Sequence, residues 1–87
     1  MSSEILVTLR LAQKAAATGR LAFALDLLVL GDVAVKIERH GTTEGTLFSV
    51  ALDCGASVYT ETSSSSAQAL KSVISSAINY ELREARP

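Results

Sequence analysis

The sequence predicts a small α+β domain in which an antiparallel sheet of three to four strands packs against helices, one of them long and C-terminal. Three observations carry this expectation. Apolar residues recur every three or four positions in the last third of the chain and alternate with period two across its middle. The 87 residues also hold one proline and no internal repeat, which makes residues 1–87 a single domain.

The first third supports two readings. Ile5, Val7, Leu9 and Leu11 alternate with Leu6, Thr8 and Arg10, as in a strand. The same stretch can open a helix, with Ser3 as its cap and Leu6, Leu9 and Gln13 as good helix formers, and residues 12–17 favour helix by propensity. Gly19 either ends that helix or sits within it at a cost of about 1 kcal/mol relative to alanine. Arg20–Leu30 is also two-faced. Its leucines and alanines favour helix, while its near-continuous apolarity suits a fully buried strand. Gly31-Asp32 closes it in either case. The preferred order is strand, helical region, two or three antiparallel strands, and the C-terminal helix. The alternative opens with a helix over residues 4–17 and continues as a four-stranded meander from Arg20 to Thr62.

The middle and the end read more plainly. Val33, Val35 and Ile37 share one face of a strand over residues 33–38, and Phe48, Val50 and Leu52 share one face of a strand over 46–52. Gly41 to Gly45 is of hairpin length, so the two strands pair antiparallel. Cys54-Gly55 turns, or bulges, the chain into a third strand over residues 57–62. The serine tetrad 63–66 then precedes a helix over Ser66–Glu84, with Ser65 and Gln68 at capping-box spacing. Leu70, Val73, Ile74, Ala77, Ile78 and Leu82 form its apolar stripe. Arg83 and Arg86 suit a helix C-terminus, and Pro87 ends the chain.

Hydrophobic residues make up 48% of the chain and the mean hydropathy is +0.31. A body this small has little interior, so part of that apolar surface is expected to meet another chain, first of all a second copy as a homodimer or higher oligomer. Leu47, Ala51 and Tyr59 are expected contacts on the second face of the sheet. The net charge of −1, with scattered basic residues, gives no long-range pull towards nucleic acid. Tyr59 and Tyr80 have no interleaved cations of the kind a nucleic-acid surface uses. The start of the chain lacks the basic residues of a secretion signal, and the richest apolar run, Leu21 to Leu30, is ten residues long and contains Asp26. A membrane span needs about 20 apolar residues. The cytoplasm is the expected location.

A search for chemistry assigns no catalytic, cofactor-binding or metal-ligating residue, and no cofactor is expected. One histidine and one cysteine, His40 and Cys54, match no metal-ligand spacing, and Gly41–Gly45 lacks the lysine of a phosphate loop. Cys54 alone cannot form an intrachain disulfide. A catalytic thiolate there needs His40 beside it in space. Asp26 interrupts an apolar run and is either exposed on a helix or paired with Arg20, Arg10 or a neighbouring chain. Glu38 and Glu61 are read as solvated, and the serine tetrad as a cap, with phosphate binding at the helix start its functional alternative.

The expected function is therefore a small protein–protein interaction or assembly module, an adaptor, accessory subunit or protein inhibitor, without catalytic activity of its own. Its contact surface is expected on the open sheet face, on Arg20–Leu30 or on the C-terminal helix. The alternatives are a small-ligand binder or small enzyme with a site at a subunit interface, using His40, Cys54 and Asp26, and a nucleic-acid-binding accessory protein.

Overall fold

A computed structural model describes residues 2–55 and 57–84. The chain runs α1 (Ser2–Ala17), α2 (Leu21–Leu30), β1 (Ala34–Thr42), β2 (Gly45–Asp53), β3 (Val58–Ser63) and α3 (Ser66–Glu84). The sheet is antiparallel with order β1-β2-β3. α3 lies against β2 and β3, α2 meets β1, and α1 packs on both α2 and α3. The α+β class and the C-terminal helix agree with the sequence reading. Arg86 and Pro87 lie outside the described residues.

The first third corrects both predicted arrangements. Residues 5–11 are helical, against the preferred order, and Arg20–Leu30 carries a helix, against the meander. The buried positions of α1 explain the first point: Leu9, Ala12 and Ala16 follow helical spacing, with Ile5 half-buried one turn earlier. Alternation misled because Val7 and Leu11, its other members, are exposed. In α2, Ala24 and Leu28 are buried while Phe23 and Leu30 are exposed on one flank and Val29 on the other, so the continuous apolarity reflects uncovered flanks rather than a buried strand. The helix begins at Ser2, so Ser3 lies within it rather than ahead of it.

Both helices close with the same backbone device. At the end of α1, the Arg20 N–H donates to the Ala15 carbonyl at 2.9 Å and the Gly19 N–H to Ala16 at 3.0 Å. At the end of α2, the Val33 N–H donates to Leu28 at 2.9 Å and the Asp32 N–H to Val29 at 3.1 Å. These are Schellman pairs, and they require a left-handed residue, Gly19 at φ 83° and Asp32 at φ 63°. Val33 then packs fully buried in the same core as Leu28. Residues 18–20 fold α2 back along α1, so that Gly31, just past α2, lies against Thr8. The pair is an antiparallel helical hairpin.

In the sheet, the register Thr42↔Gly45 leaves Thr43 and Glu44 as a two-residue turn, so both strands run further than the alternation alone indicated. Thr42 Oγ1 steadies it, donating to the Gly45 carbonyl at 2.8 Å. Opposite α3 lie Val50 and Leu52 of β2, both fully buried, with Phe48 half-buried. Cross-strand pairing aligns Val35 and Tyr59 with Leu52, and Glu61 with Val50. Tyr59 therefore faces the helices, and its expected place beside Leu47 and Ala51 on the second face is wrong. It is one residue out of phase with them in the ladder. At the start of α3, Ser65 Oγ accepts the Gln68 N–H at 3.3 Å, but the Gln68 amide turns to Ser72 instead of completing the capping box.

Candidate functional site

The chemistry-bearing residues are scattered over the fold. His40 pairs with Leu47 near the hairpin tip, whereas Cys54 follows Asp53 at the other end of β2. Seven residues of strand separate the two levels, roughly 23 Å at the usual rise. They cannot form a nucleophile–base pair. Asp26 is exposed on the outer flank of α2. Glu38 is exposed and meets Lys36 at 3.9 Å, and of the serine tetrad Ser63 Oγ accepts the Ser65 N–H in a local turn while Ser65 caps α3. Among the described residues, no three His, Cys, Asp or Glu side chains come together as a metal site, and no helix is long and apolar enough to cross a membrane.

One polar cluster does form, between β3 and the last turns of α3. The Tyr59 hydroxyl donates to Glu81 Oε2, Ser76 Oγ donates to Glu61 Oε2 at 3.2 Å, and the Tyr80 ring meets the Tyr59 ring edge-on at 5.6 Å between centroids. Burial, then the hydrogen bond to Glu81, pushes the Tyr59 phenol well above its ordinary 10.0. Burial, then the negative charges of Glu81 and Asp53, raises the Cys54 thiol above 9.0. Cys54 is thus held as a thiol, the reverse of what a nucleophile needs. The cluster anchors α3 to the sheet.

Both groups bind their proton more tightly when the chain is folded. Their contribution to stability is fully present below the unfolded values and is lost as pH rises past 9.0 for Cys54 and 10.0 for Tyr59. In urea titrations across this range the unfolding free energy is expected to fall with rising pH. Tyr59→Phe should remove the part of that fall that begins near 10.0. A wild-type profile flat through this range would contradict the half-buried, bonded phenol.

The outer face of the sheet does not supply the expected apolar contact surface. It carries Lys36, Glu38, His40, Ser49, Thr60 and Thr62, with Leu47, Ala51 and Val58 dispersed among them, and Ser49 and Thr62 share a 3.1 Å hydrogen bond across the strands. The stripe of α3 is spent on the core. The helical hairpin is different. Of the nine large apolar side chains exposed among the described residues, five lie on it: Val7, Leu11, Phe23, Val29 and Leu30. Leu30 is 82% exposed, Val7 59% and Phe23 50%. Between the helices runs an open groove of about 320 Å³, floored by Leu11, Ala15, Phe23 and Leu27 and rimmed by Lys14, Thr18 and Arg20.

Helical spacing explains the grouping. Glu4, Val7, Leu11, Lys14 and Thr18 recur at three and four residues along α1, and Phe23, Leu27 and Leu30 do so along α2. Sequence reasoning named Arg20–Leu30 but missed its α1 half. The 4-7-11-14-18 spacing was present, concealed by the alternation of residues 5–11. The fold and this face together define a small α+β domain with an apolar helical hairpin on its surface. Compared with known proteins, the chain matches no family model, no curated protein and no solved structure.

Proposed function

We propose that the chain is a protein-interaction module that acts through the outer face of the α1–α2 hairpin rather than by bond chemistry. The grouping of exposed Val7, Leu11, Phe23 and Leu30 along the groove side of one helix pair is the observation that carries this reading. Singly scattered exposed leucines need no explanation, but a grouped apolar face is a cost to solubility that binding offsets. Phe23 beside an open groove has the character of an interface anchor, and Lys14 and Arg20 provide its polar rim.

Replacing Phe23 with a photo-crosslinking amino acid in cells that make the chain tests the reading, with the same replacement at Lys36 on the outer sheet face as the control. A discrete adduct from position 23 and none from position 36 is the expected result. No adduct from 23, or equal adducts from both, would overturn it.

A further inference from the structure

The outer stripe of α1 is symmetric in a way that selects an occupant. Glu4 and Lys14 stand equally far from residue 9, on opposite sides of it, and so do Val7 and Leu11. All four are exposed, and neither Glu4 nor Lys14 has an ion-pair partner within 4.0 Å among the described residues. A two-fold axis passing over Leu9 and running across the helix sets α1 antiparallel to a copy of itself. Each Glu4 then faces the other copy's Lys14, and each Val7 the other copy's Leu11. The pattern is self-complementary in both charge and apolarity, as an isologous interface requires. The 3-4-3-4 spacing of Glu4, Val7, Leu11, Lys14 and Thr18 is that of a helix–helix seam.

Resting on the interaction reading above, we propose that the occupant of this face is a second copy of the chain, packed about that axis with Glu4–Lys14 pairs closing both ends of a Val7–Leu11 centre. Phe23, Leu27 and Leu30 flank the seam on α2 and widen the apolar area that the symmetry buries. An unrelated partner would have no cause to match both the charges and the apolar residues of α1 about one point.

The test is sedimentation equilibrium at low salt and about 10 μM, where a micromolar association is populated. It compares the full chain with Glu4→Lys, Lys14→Glu and the double variant carrying both. Each single reversal turns two attractive pairs across the axis into two repulsive ones, so the dimer Kd is expected to rise about tenfold. The double variant restores both pairs and is expected to return to within about threefold of wild type.

This rescue cannot come from the helix itself. Glu4 lies in the first turn of α1 and Lys14 in the last, so each reversal opposes the helix dipole and the double variant opposes it twice. A purely structural role makes the double variant the worst of the series, and thermal midpoints recorded in parallel expose that pattern. A monomeric wild type would overturn the proposal, as would a dimer indifferent to the reversals. In either case an adduct from position 23 to a different protein would leave the interaction reading standing, and no adduct would remove both.

Discussion

Leu52→Ala is expected to cost about 2–5 kcal/mol of folding free energy, against about 0.5 kcal/mol or less for Leu47→Ala on the same strand. The contrast follows from the sheet's two faces. Leu52 has no exposed surface and sits in the central strand, between Val35 and Tyr59, beneath α3. Leu47 is on the opposite face and 37% exposed. An 87-residue domain has a total stability of roughly 4–13 kcal/mol, so the first substitution removes a large share of it. Its thermal midpoint should fall by roughly 10 °C or more. A larger loss from Leu47→Ala than from Leu52→Ala would place the register one residue from where it is described.

Gly31→Ala is expected to cost about 1–3 kcal/mol, for a steric reason and not a conformational one. Gly31 has φ −90°, which any residue adopts. An added Cβ would lie 2.4 Å from both Thr8 Cγ2 and Thr8 Oγ1, and 2.9 Å from Thr8 Cβ. Thr8 is branched at Cβ, and rotation cannot move the Cβ itself, so the end of α2 must swing away from α1. Thr8→Ala in the same chain should recover part of the loss, because the two nearest atoms are then gone. Chemical denaturation of the two single variants and the double variant checks this. A neutral Gly31→Ala would mean that the helices are further apart than described, and the hairpin face would have a different shape.

The elements legible in the sequence are those whose apolar residues lie on one face and so keep a single period. α3 presents one stripe, from Leu70 to Ile78, to one core, and its bounds follow from periodicity and the serine cap. β1 and β2 alternate cleanly because only one face of the sheet meets helices. α1 and α2 were obscured by the feature that the proposed function rests on. Val7 and Leu11 add apolar residues to α1 that the core does not need, turning a 3.6-residue period into an apparent alternation. Phe23, Val29 and Leu30 do the same in α2, turning an amphipathic helix into a continuous apolar run. A helix that is apolar on more than one side gives a blurred period, and here the blur marks the exposed face. Tyr59 illustrates a different limit. The number of residues between Asp53 and its partner Val58 sets the phase of β3, and alternation within β3 alone cannot count them.

The polar cluster around Tyr59 was not legible either, for a related reason. Tyr59 and Glu81 are 22 residues apart, on β3 and α3, and only the docking of that helix brings the hydroxyl to the carboxylate. Cys54 and His40, the two residues whose chemistry invited attention, are kept apart by the length of β2.

The most direct measurement is a scan of the photo-crosslinking amino acid over both surfaces, at Leu11, Phe23 and Leu30 on the hairpin and at Lys36, His40 and Thr60 on the sheet. If the hairpin face is the interaction surface, the first three positions give one discrete adduct and the last three none, with an adduct mass of twice 9.1 kDa when the partner is a second copy. Adducts arising from the sheet positions, with the hairpin positions silent, would contradict the account.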